Sequence, residues 1–264
     1  LTVPGTQATN EDTPLTFSSS NDPANDISVA DADESLDPLS ELKLTLTVTN
    51  GALTLPSTVG LTFQDSTANG QSTLVFTGSL ATINTRLDGL QFDPTPDFNG
   101  AATLTVMADD QGNFGTGGAM SDTDVISINV AAVNDAPLLV SIEAGAVAYT
   151  ENDSATQITN AILVTDIDDA NIESATVQVT GNYQNGQDVL SAVSLPAGIT
   201  ANFTAGTGTL SLSGSASKAD YQTALRAVRY TNSSDNPVTL TRTVSFTVND
   251  GDVNSNSQTR NLTV

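Results

Sequence analysis

The stretch "LKLTLTVTNG", residues 42–51, decides the fold. Leu42, Leu44, Leu46 and Val48 take every second position, with Lys43, Thr45 and Thr47 between them, and an Asn-Gly pair closes the run. Successive side chains of a strand point to opposite faces, so the pattern predicts a strand with one face buried and one wet, ending in a tight turn. The same period of two returns in "STLVFTG" (72–78), "ATLTVMA" (102–108) and "VISINV" (125–130). It returns again in "ATVQVTG" (175–181), "GTLSLSG" (208–214) and "TVSFTVND" (243–250). Short strands at this spacing, without long helices between them, predict immunoglobulin-like Greek-key β-sandwiches rather than a parallel α/β sheet.

Between the strands the same markers occur twice in the same order, as in a tandem repeat. "TNEDTPL" with Glu11 answers to "YTENDSA" with Glu151, and "ISVADAD" with Asp31 and Asp33 answers to "ILVTDID" with Asp166 and Asp168. "LQFDPTPDFNG" with Asp97 answers to "VRYTNSSDNP" with Asp235, and "MADDQG" with Asp110 answers to "VNDGD" with Asp250. Subtracting residue numbers (151 − 11, 166 − 31, 235 − 97, 250 − 110) gives offsets of 140, 135, 138 and 140. The expected organisation is an all-β chain of two tandem sandwiches, residues 1–133 and 138–264, joined by residues 134–137 of "VNDAP". Proline lacks a donor for a sheet ladder and keeps its predecessor extended, which suits a joint between the strand before it and the alternating run "LLVSIEAGAVAY" after it.

One segment in each half breaks the alternation. "SLATINTRLDGL" sets Leu80, Ile83, Leu87 and Leu90 at helical spacing behind Ser79 as N-cap, with Gly89 near the end. "SKADYQTALRAV" does the same with Tyr221, Leu225 and Val228, and Ser217 with Asp220 forms an acidic variant of a capping box. Each half is expected to carry one short helix packed over an end of its core.

The 264 residues hold 7 basic and 30 acidic side chains, a net charge of −23, with no histidine, cysteine or tryptophan. Phosphate backbones and anionic lipid would be repelled, so no nucleic-acid partner is expected. The missing residue types exclude disulfides, thiolate or imidazole metal sites and a Ser-His triad. Paired carboxylates can hydrolyse glycosides, but no segment reads as a cleft insertion, and the expectation is no enzyme. No apolar run approaches the roughly 18 to 20 residues of a membrane span, so this stretch is not expected to enter a membrane directly. The chain opens without methionine and reads as a piece of a longer protein whose addressing signals lie elsewhere.

The recurring carboxylates admit two readings. Asp31 with Asp33, and Asp166 with Asp168, sit two apart just past a strand, where extended geometry points both side chains the same way. Like charges held side by side repel unless a cation separates them, and oxygen ligands without His or Cys point to calcium. Taken singly, each is equally a turn aspartate accepting backbone hydrogen bonds. Neither "DADESL" nor "DIDDAN" has the glycine and terminal acid of an EF-hand loop, so a calcium site here has to be assembled from distant segments.

The glutamate near the start of each half, the D-x-D pairs, "ADDQG", "FDPTPDFNG" and "VNDAP" together resemble the cadherin repeat, and more closely the bacterial cadherin-like tandem repeats of large surface and biofilm adhesins. The resemblance spans essentially the whole chain as two copies. It implies calcium at the joint, held by Glu11 and Asp97 from the first half, Asn134 and Asp135 from the linker, and Asp166, Asp168 and Asp250 from the second. Asn134 is expected to act through its backbone carbonyl. Incomplete sites are implied at Asp31, Asp33 and Asp110, facing a preceding linker, and at Glu151 and Asp235, facing a following one. Ala132 and Ala136 replace polar residues of the family linker, and the proline comes one residue early, which implies fewer than three ions at the joint.

The function so implied is a calcium-rigidified extender or cell-adhesion module on a bacterial surface, with neighbouring repeats of its own chain as first partners. Another cell-surface protein or a polysaccharide would be a further partner. The alternative is a carbohydrate-binding module, for which Phe114 in "QGNFGTGG" and Tyr183 in "TGNYQNGQ" are the best placed aromatics.

Overall fold

The computed structural model describes residues 1–31, 41–112 and 118–264; Asp33 and Phe114 lie outside them. The chain divides into two units, Leu1–Val133 and Asn134–Val264, each with its own apolar core.

The described strands of the first unit are β1 (Gln7–Asn10), β2 (Leu15–Phe17), β3 (Glu41–Val48), β4 (Gly51–Thr54), β5 (Thr62–Phe63), β6 (Thr73–Ser79), β7 (Leu90–Pro94), β8 (Gly100–Asp109) and β9 (Ser121–Ala131), with α1 (Leu80–Leu87) between β6 and β7. One sheet runs β1-β9-β8-β3-β6-β5 and the other β2-β7-β4. The chain leaves β3 for β4 in the opposite sheet and returns as β6 beside β3. It then crosses again through α1 and β7 and lands as β8 on the other side of β3, a Greek-key path. β1 pairs parallel to β9, and the other ladders are antiparallel. The period of two is realised as read: Leu42, Leu44, Leu46 and Val48 point inward and meet Phe17, Leu53 and Phe92 of the smaller sheet in one core.

The second unit repeats the plan with β10 (Leu138–Val140), β11 (Val147–Ala148), β12 (Thr156–Gln157), β13 (Leu163–Thr165), β14 (Asn171–Gly181), β15 (Asp188–Ala192), β16 (Thr200–Thr204), β17 (Thr209–Ser217), α2 (Lys218–Arg226), β18 (Val228–Asn232), β19 (Arg242–Asn249) and β20 (Gln258–Thr263). Its sheets run β11-β20-β19-β14-β17-β16 and β12-β18-β15, with β10 paired to β13. The run 138–149 is not one strand. Ser141, at φ +63°, turns the chain between β10, paired to β13, and β11, paired parallel to β20.

Both helices form, shorter than the apolar spacing suggests. The Ser79 hydroxyl caps α1 by accepting from the Thr82 N–H at 3.3 Å, and Leu80, Ile83 and Leu87 are buried. Leu90 belongs instead to β7, because Gly89, at φ +97°, turns the chain and donates its N–H to the Phe17 carbonyl at 2.8 Å. The Ser217 hydroxyl accepts from the Asp220 N–H at 3.1 Å, while Tyr221, Ala224 and Leu225 face the core and Val228 opens β18. The capping box is half made: the Asp220 carboxylate accepts from the Ser217 hydroxyl at 2.7 Å.

One corner separates the two copies. In the second unit Asp188 and Arg242 pair at 3.0 Å with both side chains fully buried. Tyr230 and Asn232 donate to the same carboxylate, and Arg242 also donates to the carbonyls of Val238 and Leu240. The equivalent ladder positions of the first unit are Gly51, Phe92, Pro94 and Ala102, with no charge among them.

Candidate metal centre

Three stretches of the second unit converge: the incoming chain at Asn134 and Asp135, the turn after β13 and the turn after β19. Asp166 follows β13 directly. Its Oδ1 accepts from the N–H groups of Asp168 (3.2 Å) and Asp169 (2.8 Å). This is a turn built on its own side chain rather than continued strand, and the Asp166 and Asp168 carboxylates remain neighbours within it. The extended backbone expected for the D-x-D pair is corrected here. An aspartate in the first position after a strand can bond forward to the backbone, and that bond competes with continued extension.

Asp250 follows β19 and behaves alike: it is buried, and its Oδ1 accepts from Asp252 N–H (2.8 Å) and Val253 N–H (2.7 Å). Its Oδ2 accepts from the side-chain amide of Asn134 at 2.9 Å. The Asp135 N–H donates to Oδ2 of Asp168 at 3.1 Å. Both linker residues therefore touch the acidic turns.

Carboxylate oxygens of Asp166, Asp169 and Asp250 lie within 4.8 Å of one another. Oδ2 of Asp166 is buried and receives no hydrogen bond. Burial, and then the neighbouring Asp168 carboxylate, push the Asp166 carboxyl above its ordinary range. Burial acts in the same direction on Asp250, but hydrogen bonds from Asn134 and from the Val253 and Asp252 amides outweigh it and hold that carboxyl low. For Asp168, too, the donors led by Asp135 N–H outweigh burial. The group fits a hard divalent cation. Ligand oxygens about 2.3 to 2.6 Å from a calcium ion can be no more than about 5 Å apart, and a desolvated oxygen without a donor is what such an ion would satisfy.

Asp169 was not among the residues singled out by the repeat. The signal was present, since the acid three residues after Asp166 matches Glu34, three after Asp31. Asn134 meets Asp250 through its side chain.

Glu11 is buried in the first unit, where its Oε1 accepts from Val133 N–H at 2.6 Å and its own N–H bonds the Ala131 carbonyl, fastening the end of β9. Asp97 is exposed at φ +59°, with its N–H on Oδ1 of Asp12 at 3.3 Å. Asp31 and Asp110 line a cavity of about 250 Å³ together with Asp122, which pairs with the Leu1 amine at 3.0 Å. Oδ1 of Asp110 accepts from Gly112 and Met120 N–H groups, which lower its carboxyl. Glu151 is half-buried and accepts from the Asn152 amide, and Asp235 is exposed. The Tyr183 ring packs against Gly208, and its hydroxyl donates to the Ala205 carbonyl.

No family model matches this chain. Halomucin of Haloquadratum walsbyi is 32% identical over 159 residues, covering 58% of this chain and 2% of that protein. The chain thus spans about 2% of the length of this curated relative. Among solved structures, mouse cadherin-23 EC22-24 is 14% identical with a TM-score of 0.36, covering 100% of this chain and 64% of that one. The C-terminal domain of the Streptococcus agalactiae AgI/II polypeptide BspA is 13% identical with a TM-score of 0.29, covering 100% and 96%.

Proposed function

We propose that this chain is a non-catalytic, extracellular pair of repeats from a surface protein, serving as an extender or adhesion module, in which calcium orders the linker. The ion would be held by Asp166, Asp169 and Asp250, with Asp168, Asp135 and Asn134 beside it. The observation that carries the proposal is the buried, donorless Oδ2 of Asp166 among carboxylate oxygens no more than 4.8 Å apart. Without an ion the carboxylates repel one another. With one, the turns that hold Asn134 and Asp135 gain a common centre, and residues 134–137 lose freedom. A tandem chain that bends freely in chelator would then stiffen in calcium.

The test is a thermal melt of the whole chain in chelator, in calcium and in magnesium, with small-angle scattering under the same conditions. Calcium at about 100 times its dissociation constant stabilises its unit by about 2.7 kcal/mol. For the 131 residues from Asn134 to Val264, that is about 10 °C. The expected outcome is a shift that magnesium does not reproduce, accompanied by a longer maximum dimension. An unchanged melt removes the ion from the proposal, and an unchanged dimension removes the stiffening.

A further inference from the structure

Lys218 is one of two lysines in the chain and the first residue of α2. Its Nζ makes no carboxylate ion pair within 4.0 Å among the described residues. The ammonium reaches instead into the turn after β13 and donates to the carbonyl of Asp166 at 2.8 Å and of Asp169 at 2.5 Å. Its backbone N–H adds a bond to the Ala170 carbonyl at 3.4 Å. The three bonds tie the acidic turn, 166–170, to the start of the helix. In the first unit α1 begins with Leu80, an apolar core residue that can make no such bond.

We infer that Lys218 is a positioning residue for the acidic turn, an internal cation that holds Asp166 and Asp169 in their binding arrangement when no divalent ion is present. The inference rests on the calcium reading for its function, although the tether itself does not require it. Carboxylate oxygens this close drive the turn apart. The ammonium opposes that from behind, through the carbonyls, and so leaves the carboxylates free for a ligand. A turn already closed gives up less freedom on binding, and apparent affinity scales with the fraction of molecules in the competent form. A lysine acting merely as a nearby positive charge would have the opposite effect and weaken calcium binding by repulsion.

The experiment compares native chain, Lys218→Met and Lys218→Arg, each measured in chelator and in calcium. Exchange of the Asp168 and Asp169 amide protons, which bond Oδ1 of Asp166, is followed by NMR, with β14 and β19 amides as the control for an intact fold. The Met variant is expected to exchange at least tenfold faster at these two positions in chelator, with the controls unchanged and the difference reduced in calcium. Its calcium affinity falls several-fold, whereas the Arg variant, still able to bridge two carbonyls, stays near native. Unchanged exchange in the Met variant overturns the inference, as does tighter calcium binding. If exchange accelerates in the variant while the native chain binds no calcium, the tether stands and the calcium reading fails. Loss of protection at the control strands as well would make Lys218 a general stability residue and would also overturn the inference.

Discussion

Replacing Asp166 by Asn should stabilise the second unit in chelator and weaken its response to calcium. The substitution keeps an acceptor at Oδ1 for the Asp168 and Asp169 amides, so the turn survives. It removes one of three carboxylates whose oxygens are within 4.8 Å, and places an NH2 donor at the buried position where Oδ2 has none. Two unit charges 4.8 Å apart repel by about 3.5 kcal/mol at an effective dielectric of about 20, and by about 0.9 kcal/mol in water. The site is only partly buried, so relief of about 1–2 kcal/mol is expected, which for a unit of 131 residues is about 4–7 °C. In calcium the variant lacks one charged ligand. A tenfold loss of affinity lowers the gain at 100 times the native dissociation constant from about 2.7 to about 1.4 kcal/mol. Scanning calorimetry of the whole chain with chelator and with calcium measures both numbers. A variant that is less stable in chelator, with a native calcium response, would refute the reasoning and reduce Asp166 to a turn former.

Two further outcomes follow from side chains away from the acidic turns. Asp188→Ala leaves Arg242 charged and fully buried beside two carbonyls, and should cost about 3–5 kcal/mol, seen as a drop of more than 10 °C in the melt of the second unit; the double change Asp188→Leu with Arg242→Met should cost less than either single change. In the first unit, Ser18 hydroxyl, Ser19 N–H and Ser19 hydroxyl all donate to Asp88 and lower its carboxyl below its ordinary 3.8. A depressed carboxylate contributes stability that is present above the unfolded value and lost as pH falls through the folded one. Asp88→Ala should therefore cost at most about 1 kcal/mol at neutral pH, Asp88 being exposed, and the gap from native should close as denaturation is followed below pH 3.8.

The period of two carried most of the architecture, because each long strand has one wet face, and Thr and Ser mark it. It also held a signal that is easy to pass over. Arg242 stands in the same parity as Val244, Phe246 and Val248, and Asp188 in the same parity as Leu190, so both charges were already inward in the pattern. Their pairing was not legible, since β15 and β19 lie in different sheets and only the fold brings them together. Strand ends were legible only in part. Ser141 and Gly89 take positive φ and divide runs that hydrophobic spacing alone would continue. The acidic site was visible as a set of aspartates repeated in order, and Asp169 could have been added from its match to Glu34, but Lys218 became visible only when the turn and the helix start were seen in contact.

The two readings of the aspartates, turn former and metal ligand, are not alternatives in this structure. Asp166 and Asp250 each commit Oδ1 to N–H groups two and three residues ahead, which fixes the side chain to its own turn. A carboxylate so fixed has its second oxygen aimed without further loss of rotamer freedom. In Asp166 that oxygen is buried and unpartnered, and in Asp250 it meets the Asn134 amide. Each turn thus performs the ordering that a flexible ligand would otherwise undergo on binding. The contrast with Asp235 is instructive: it is exposed, and among the described residues it belongs to no group of acids close enough to share an ion. Two of the three grouped acids, Asp166 and Asp250, are thus candidate ligands whose own backbone has already fixed one oxygen, and their place in the repeated order of aspartates is the sequence trace of those two turns.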